Sequence, residues 1–250
     1  MPNWNLWHGC QRISPGCLNC YVYRTDSKFG KTDSFIVKKN EDFNLPLKKN
    51  RQGEYRLRPS DGVVFTCMTS DFFIEDADYW RQEAWDIIRK RSDLQFCIVT
   101  KRITQAEERL PKDWGEGYDN VAFACTVENN AMAKLRLPVF NRFPARHKLI
   151  FCAPLLEQVE LGEYLDGIEQ VSVGGESGLN ARPCRWEWIQ EMYKTCNDKG
   201  VAFHLHQLGN FFIKDGKEYR LPNRKVQHEQ AKKAQQLLEQ SLRTAESTDN

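Results

Sequence analysis

The sequence has no run of eighteen apolar residues, the length a helix needs to cross a bilayer, and its first residues are polar and aromatic rather than basic and then apolar. A membrane span and a secretory leader are therefore not expected, and the chain reads as a cytoplasmic globular protein. It also lacks an even cysteine count: there are nine, and several lie inside apolar runs, where free cysteine behaves as a small hydrophobe in a reducing compartment. No glycine-rich dinucleotide fingerprint follows the first strand, which argues against a nucleotide-binding doubly wound sheet of the usual kind.

What is present is concentrated near the start. Cys10, Cys17 and Cys20 fall within eleven residues in a C-x6-C-x2-C pattern, with the turn signal Ser14-Pro15-Gly16 folding the two ends together. Close cysteines in an intracellular chain favour metal or redox roles. Three thiolates without a fourth cysteine nearby leave a coordination position open, whereas structural zinc sites close with four protein ligands. Two metals fit: a [4Fe-4S] cluster with one free iron, or zinc with His8 as a fourth ligand.

Charge is uneven as well. Residues 1–60 carry eleven Lys and Arg against five Asp and Glu, or +6, which leaves −4 for the rest of a chain whose net charge is +2. Within the basic 38–60 insertion, Lys48, Lys49, Arg51, Arg56 and Arg58 are interleaved with Tyr55, a composition suited to tracking phosphates and stacking on a base. A solvated hairpin with its turn at 50–53 explains the same residues.

From Gly62 onward strand-length apolar runs recur at 63–68, 95–100, 121–127, 148–153, 170–175 and 201–206, and SFIVKK at 34–39 is a candidate first strand. Segments with helical spacing lie between them, at 78–91, 104–110, 130–141, 161–165 and 185–199. Apolar strands without polar alternation, separated by helices, imply parallel pairing with both sheet faces covered. The expected fold is α/β, a parallel (β/α) barrel, partial or complete, forming a single domain over 1–223. Residues 224–243 read as a C-terminal helix that lies on the barrel or contacts a partner protein, and 244–250 as a disordered tail.

In a barrel the C-terminal strand ends form the reaction face. The tips here are Thr69-Ser70-Asp71, Lys101-Arg102, Glu128-Asn129, Gly174-Gly175-Glu176-Ser177 and His206-Gln207. A glycine pair permits close backbone approach, and Glu176 can accept from ribose hydroxyls or an ammonium. His204 and His206 share a strand face as a consequence of the pleat.

WNLWHGCQRISPGCLNCY, MTSDFF, VTKR, TVEN, VGGESG-ARP and HLHQLG together resemble the motif series of a phage-associated three-cysteine protein family of unknown function, related to radical SAM enzymes, over residues 3–210. The resemblance implies a partial barrel with a [4Fe-4S] cluster on Cys10, Cys17 and Cys20, S-adenosylmethionine on the open iron, and a phage or prophage origin. It further implies a reducing partner and radical chemistry on a substrate. Candidate cofactor-binding residues are Ser70, Asp71, Glu128, Gly174, Gly175, Glu176 and Ser177. Arg102, Gln207 and the basic residues Lys48, Lys49, Arg51, Arg56 and Arg58 are substrate candidates, for a nucleotide or nucleic acid that undergoes modification. The chain departs from the radical SAM pattern in its six-residue cysteine gap, in a GGE segment after the sixth strand, and in Ala153-Pro154 where a Glu-Pro pair is expected. The competing reading is a non-catalytic zinc- or cluster-stapled module that binds nucleic acid or a protein.

Overall fold

The computed structural model describes residues 1–248. In chain order its strands and α-helices are β1 (Asn3–Trp4), β2 (Trp7–His8), α1 (Tyr21–Lys28), β3 (Lys38–Lys39), β4 (Val64–Thr66), α2 (Asp78–Lys90), β5 (Phe96–Thr100), β6 (Val121–Thr126), α3 (Asn130–Arg142), β7 (His147–Cys152), β8 (Gln170–Gly174), β9 (Cys184–Arg185), α4 (Trp186–Asp198), β10 (Ala202–Gln207), β11 (Phe211–Lys214), β12 (Lys217–Arg220) and α5 (Arg224–Thr248). Seven strands form one sheet in the order β1-β4-β5-β6-β7-β8-β10. The pairings β1–β4, β4–β5, β5–β6 and β8–β10 are parallel. With β1 and β10 at its edges the sheet does not close, so a complete barrel is excluded. No helix among the described residues is long and apolar enough to cross a membrane.

The six apolar runs from residue 63 onward all form strands of this sheet, because residues apolar on both faces are stable only where both faces are covered. The run at 34–39 does not. Only Lys38–Lys39 pairs, antiparallel to β2, while Ser34 and Phe35 lie in a turn closed by Ile36 N–H donating to Asp33 O at 2.8 Å. The segments at 104–110 and 161–165 are too short to propagate an α-helix and settle as 3-10 turns. Helix α5 continues through Thr248, taking in residues that read as tail; 249–250 lie outside the described residues.

The chain divides into two compact units. The first comprises Met1–Ile13, Val22–Thr126 and Pro138–Leu149, and the second Ser14–Tyr21, Val127–Leu137 and Ile150–Asn250. The first unit is built around aromatic residues: Phe72 lies 4.8 Å from Trp85 and 5.5 Å from Trp7, Trp85 lies 5.2 Å from Trp114, and the contacts continue to Phe123 and Phe143. Burying rings of this size supplies most of the unit's hydrophobic stabilisation. The second unit packs Val171, Val173, Ile189, Met192 and Leu205, and docks α5 through Ala231, Ala234 and Leu238. Gln235 of α5 accepts a hydrogen bond from Leu205 N–H at 2.9 Å, which covers a backbone donor on edge strand β10.

Candidate functional site

The cysteine stretch has little regular structure, so its backbone groups must find side-chain partners. Within the first unit three successive carbonyls accept from side chains: Gly9 O from Ser70 Oγ, Cys10 O from Tyr23 Oη, and Gln11 O from Arg102 Nη2 at 2.8 Å. Gly9 N–H donates to Thr69 O at 3.2 Å and Cys10 N–H to Ser34 O at 2.9 Å. Gly9 has φ +95°, and a Cβ there would lie 2.2 Å from Ile36 O, so no other residue fits.

The strand tips of this unit are arranged behind that segment. Asp71 is buried; its Oδ1 accepts from Thr100 Oγ1 (2.8 Å) and Phe73 N–H (3.0 Å), and its Oδ2 from Lys101 N–H (2.8 Å), with Arg102 Nη1 at 3.5 Å. Arg102, also buried, aims Nη1 at Cys10 Sγ, 3.7 Å away. Cys67, which precedes the Thr69-Ser70-Asp71 tip, takes a left-handed backbone conformation at φ 64°, a strained state for a residue with a Cβ. Burial pushes its thiol well up, although the Trp7 backbone N–H donates to it.

His8 Nε2 lies 2.8 Å from Asp26 Oδ2. Burial alone would raise the Asp26 carboxyl, but hydrogen bonds from His8 and Ser34 hold it below the usual carboxylate range.

Within the second unit the Pro15–Cys17 turn is held by carboxylates. Gly16 N–H donates to Glu128 Oε1 at 3.1 Å, and the other Glu128 oxygen receives Arg136 Nη1 at 2.8 Å in an ion pair whose side chains are 0% and 2% exposed. Glu176 Oε2 accepts from Asn19 Nδ2 at 2.9 Å and from Arg182 Nε at 3.0 Å, and its Oε1 from Arg182 Nη2 at 2.6 Å. Burial pushes the Glu176 carboxyl up; the Arg182 and Asn19 hydrogen bonds outweigh it and hold the group below its ordinary value. Arg182 also donates to Pro15 O at 3.0 Å. Ser14 Oγ and Cys17 Sγ are 3.6 Å apart.

Several sequence candidates thus have their polar atoms engaged by the chain itself. Ser70, Glu128 and Glu176 hold the cysteine stretch. The close approach at Gly175 is made by the protein's own backbone: a Cβ there would lie 2.2 Å from Leu208 O. Gln207 Nε2 donates to Gly175 O at 2.9 Å, Gly174 packs beside Gln207 and Ala153, and Ser177 is half-buried on the following loop. In the basic segment Lys48 pairs with Asp42, and two cations already stand over the Tyr55 ring, Lys49 Nζ at 4.8 Å and Arg91 Cζ at 4.0 Å. Arg51, Arg56 and Arg58 are exposed.

All nine cysteines are free; Cys10, Cys17 and Cys20 are half-buried and the other six are buried. Thiols that water can reach, with Arg102 and Ser14 beside two of them, are chemically suited to bind metal as thiolates. No group of three or more His, Cys, Asp or Glu that could hold a metal ion is found among the described residues, so that suitability rests on donor chemistry and spacing alone.

Sequence reasoning missed Tyr23, Asn19, Arg136 and Arg182, whose partners are distant in the chain. It also missed the β11–β12 hairpin, although Asp215-Gly216 between two strand-length runs is a strong two-residue turn signal; both residues have positive φ, 52° and 72°.

The family model that matches the chain, over residues 2–245, is described as "Protein of unknown function (DUF5131)". No curated protein matches the chain, and no solved structure does.

Proposed function

Because the chain belongs to that family, whose description carries no activity, we propose a function from its own residues: an iron–sulfur protein, a radical SAM-like enzyme acting on a nucleotide or nucleic acid. The observation that carries this reading is the segregation of the cysteines. Three half-buried thiols lie on a stretch whose backbone is fixed by side chains, and six buried ones lie elsewhere. Cys10, Cys17 and Cys20 would hold the cluster. When bound with S-adenosylmethionine, such a cluster supplies one-electron cleavage of a carbon–sulfur bond and hence hydrogen abstraction from an unactivated carbon.

The residues around the motif keep it in place. Ser70, Tyr23 and Arg102 fix the carbonyls of 9–11, Glu128 and Glu176 fix Gly16 and Asn19, and Arg102 sets a positive charge beside Cys10. The exposed Arg51, Arg56 and Arg58 supply the electrostatic attraction a phosphate backbone needs.

A second reading, a zinc-stapled binding module, is favoured by His8. Its Nε2 is held by a buried carboxylate, an arrangement common behind metal-ligating histidines. Metal and sulfide analysis of anaerobically purified protein separates the two. About four iron and four sulfide per chain, with a visible band that bleaches on dithionite and shifts with S-adenosylmethionine, is expected. Each of Cys10→Ala, Cys17→Ala and Cys20→Ala removes it, and His8→Ala does not. Stoichiometric zinc in a colourless protein that takes up no iron on reconstitution overturns the cluster.

A further inference from the structure

The three-stranded sheet β12-β11-β9 of the second unit has two unlike faces. On one, Cys184 and Phe212 are buried, and Phe212 meets Trp186 of α4 edge-on at 6.3 Å. The register places Phe211 opposite Arg220, and Ile213 opposite both Glu218 and Arg185, so by strand alternation these five share the other face. That face is open: Phe211 and Ile213 are half-exposed, and Arg185, Glu218 and Arg220 are exposed. Arg220 lies over the Phe211 ring at 5.4 Å, and Arg185 over the half-exposed Trp188 at 5.9 Å. Among the described residues Arg185 has no carboxylate within ion-pair distance, and Arg220 reaches only Glu218, at 3.7 Å with its own side chain 81% exposed.

The lane is fixed to the cysteine turn within the same unit. Asn210 leads into β11; its N–H donates to Glu176 O at 2.9 Å, and its side-chain amide donates to Leu221 O at 2.9 Å, closing the base of the hairpin. The Glu176 carboxylate is the group that holds Asn19.

We propose that the face formed by Arg185, Trp188, Phe211, Ile213 and Arg220 binds single-stranded nucleic acid, with the arginines on phosphates and the aromatic rings against bases. This rests on the nucleic-acid reading above and moves the base-contacting surface from Tyr55, whose ring is already covered by cations, to β9–β11–β12. Alternating cations and half-exposed rings on a rigid sheet are what sequence-tolerant single-strand binding requires, since every base has a stacking face and every nucleotide a phosphate. A duplex offers only the phosphates.

Fluorescence anisotropy of the full chain with labelled oligo(dT) and oligo(U) of about 12 nucleotides, within the range one such surface covers, against a duplex of equal length, tests this. Single strands are expected to bind more tightly than duplex. The Arg185→Ala/Arg220→Ala variant, which alters only exposed side chains, is expected to lose about tenfold or more and to flatten the salt dependence by roughly one unit of slope. Phe211→Ala is expected to lose about fivefold or more, with circular dichroism reporting an unchanged fold. Equal affinity for duplex overturns the proposal, as does a Phe211→Ala protein that binds like wild type, which reduces the face to a polyanion patch. If Arg51→Ala/Arg56→Ala/Arg58→Ala abolishes binding and the Arg185/Arg220 variant does not, the lane falls and the nucleic-acid reading stands. If wild type binds neither strand at low salt, both fall and the metal reading is untouched.

Discussion

The two ends of the cysteine stretch are held by opposite chemistry. In the first unit the chain offers carbonyls, at Gly9, Cys10 and Gln11, and the protein answers with donors: a hydroxyl, a phenol and a guanidinium. In the second it offers N–H groups, at Gly16 and the Asn19 amide, and the protein answers with two buried carboxylates. The neutral hydroxyl contacts lie at the low end of hydrogen-bond energies, and the charged contacts at the high end. The comparison teaches that the second-unit end is the rigid one and the Ser70–Tyr23 end the more easily loosened.

The largest expected effect tests the rigid end. Glu128→Ala leaves Arg136 buried without its counter-charge and should cost about 3–5 kcal/mol in denaturant unfolding; a cost near that of Ser70→Ala would erase the distinction between the two ends. Next comes Glu176→Gln, which keeps the shape and removes the charge. Loss of its charge-assisted bonds to Arg182 and Asn19 should cost roughly 1.5–3 kcal/mol, with faster hydrogen exchange at 14–21. Because the folded carboxyl lies below its ordinary 4.5, its stabilisation is full above about that pH and is lost as pH falls through the folded value. Glu176→Gln should therefore flatten the acid limb of a stability–pH curve.

On the other side, Ser70→Ala and Tyr23→Phe should each cost about 1 kcal/mol and raise exchange at 9–11 without touching 14–21. The gentlest perturbation is acid alone, away from both ends. Burial, and then the neighbouring His228, Arg224 and His204, push His206 down to about 4 from its ordinary 6.5. The fold therefore favours the neutral ring, and its contribution is full above pH 6.5 and declines between 6.5 and about 4. Melting curves at pH 7 and pH 5 should show the difference, and His206→Phe should reduce it.

Much of the fold was legible because strands apolar on both faces announce themselves by composition: 96–100, 121–126 and 170–174 lie inside the runs read from sequence. β1 was not, since two residues that pair through backbone alone leave no pattern. SFIVKK misled because β-propensity measures fit to a half-buried sheet, and in this protein Phe35 and Ile36 stay exposed. The motif cysteines and polar strand tips were visible as residues, but their relation was not. Glu128 and Glu176 read as groups available to a ligand, whereas they hold the loop itself. Contacts spanning 112 and 157 residues have no local signature.

That separation has a consequence in time. Asn19 leaves the ribosome with the rest of its motif, yet Arg182 follows 163 residues later, an interval of about 8 to 30 s at ordinary elongation rates. For that interval Cys17 and Cys20 belong to an unbraced nascent chain, open to a delivery factor or to an oxidant, and the turn is fixed only when the end of the sheet has been made.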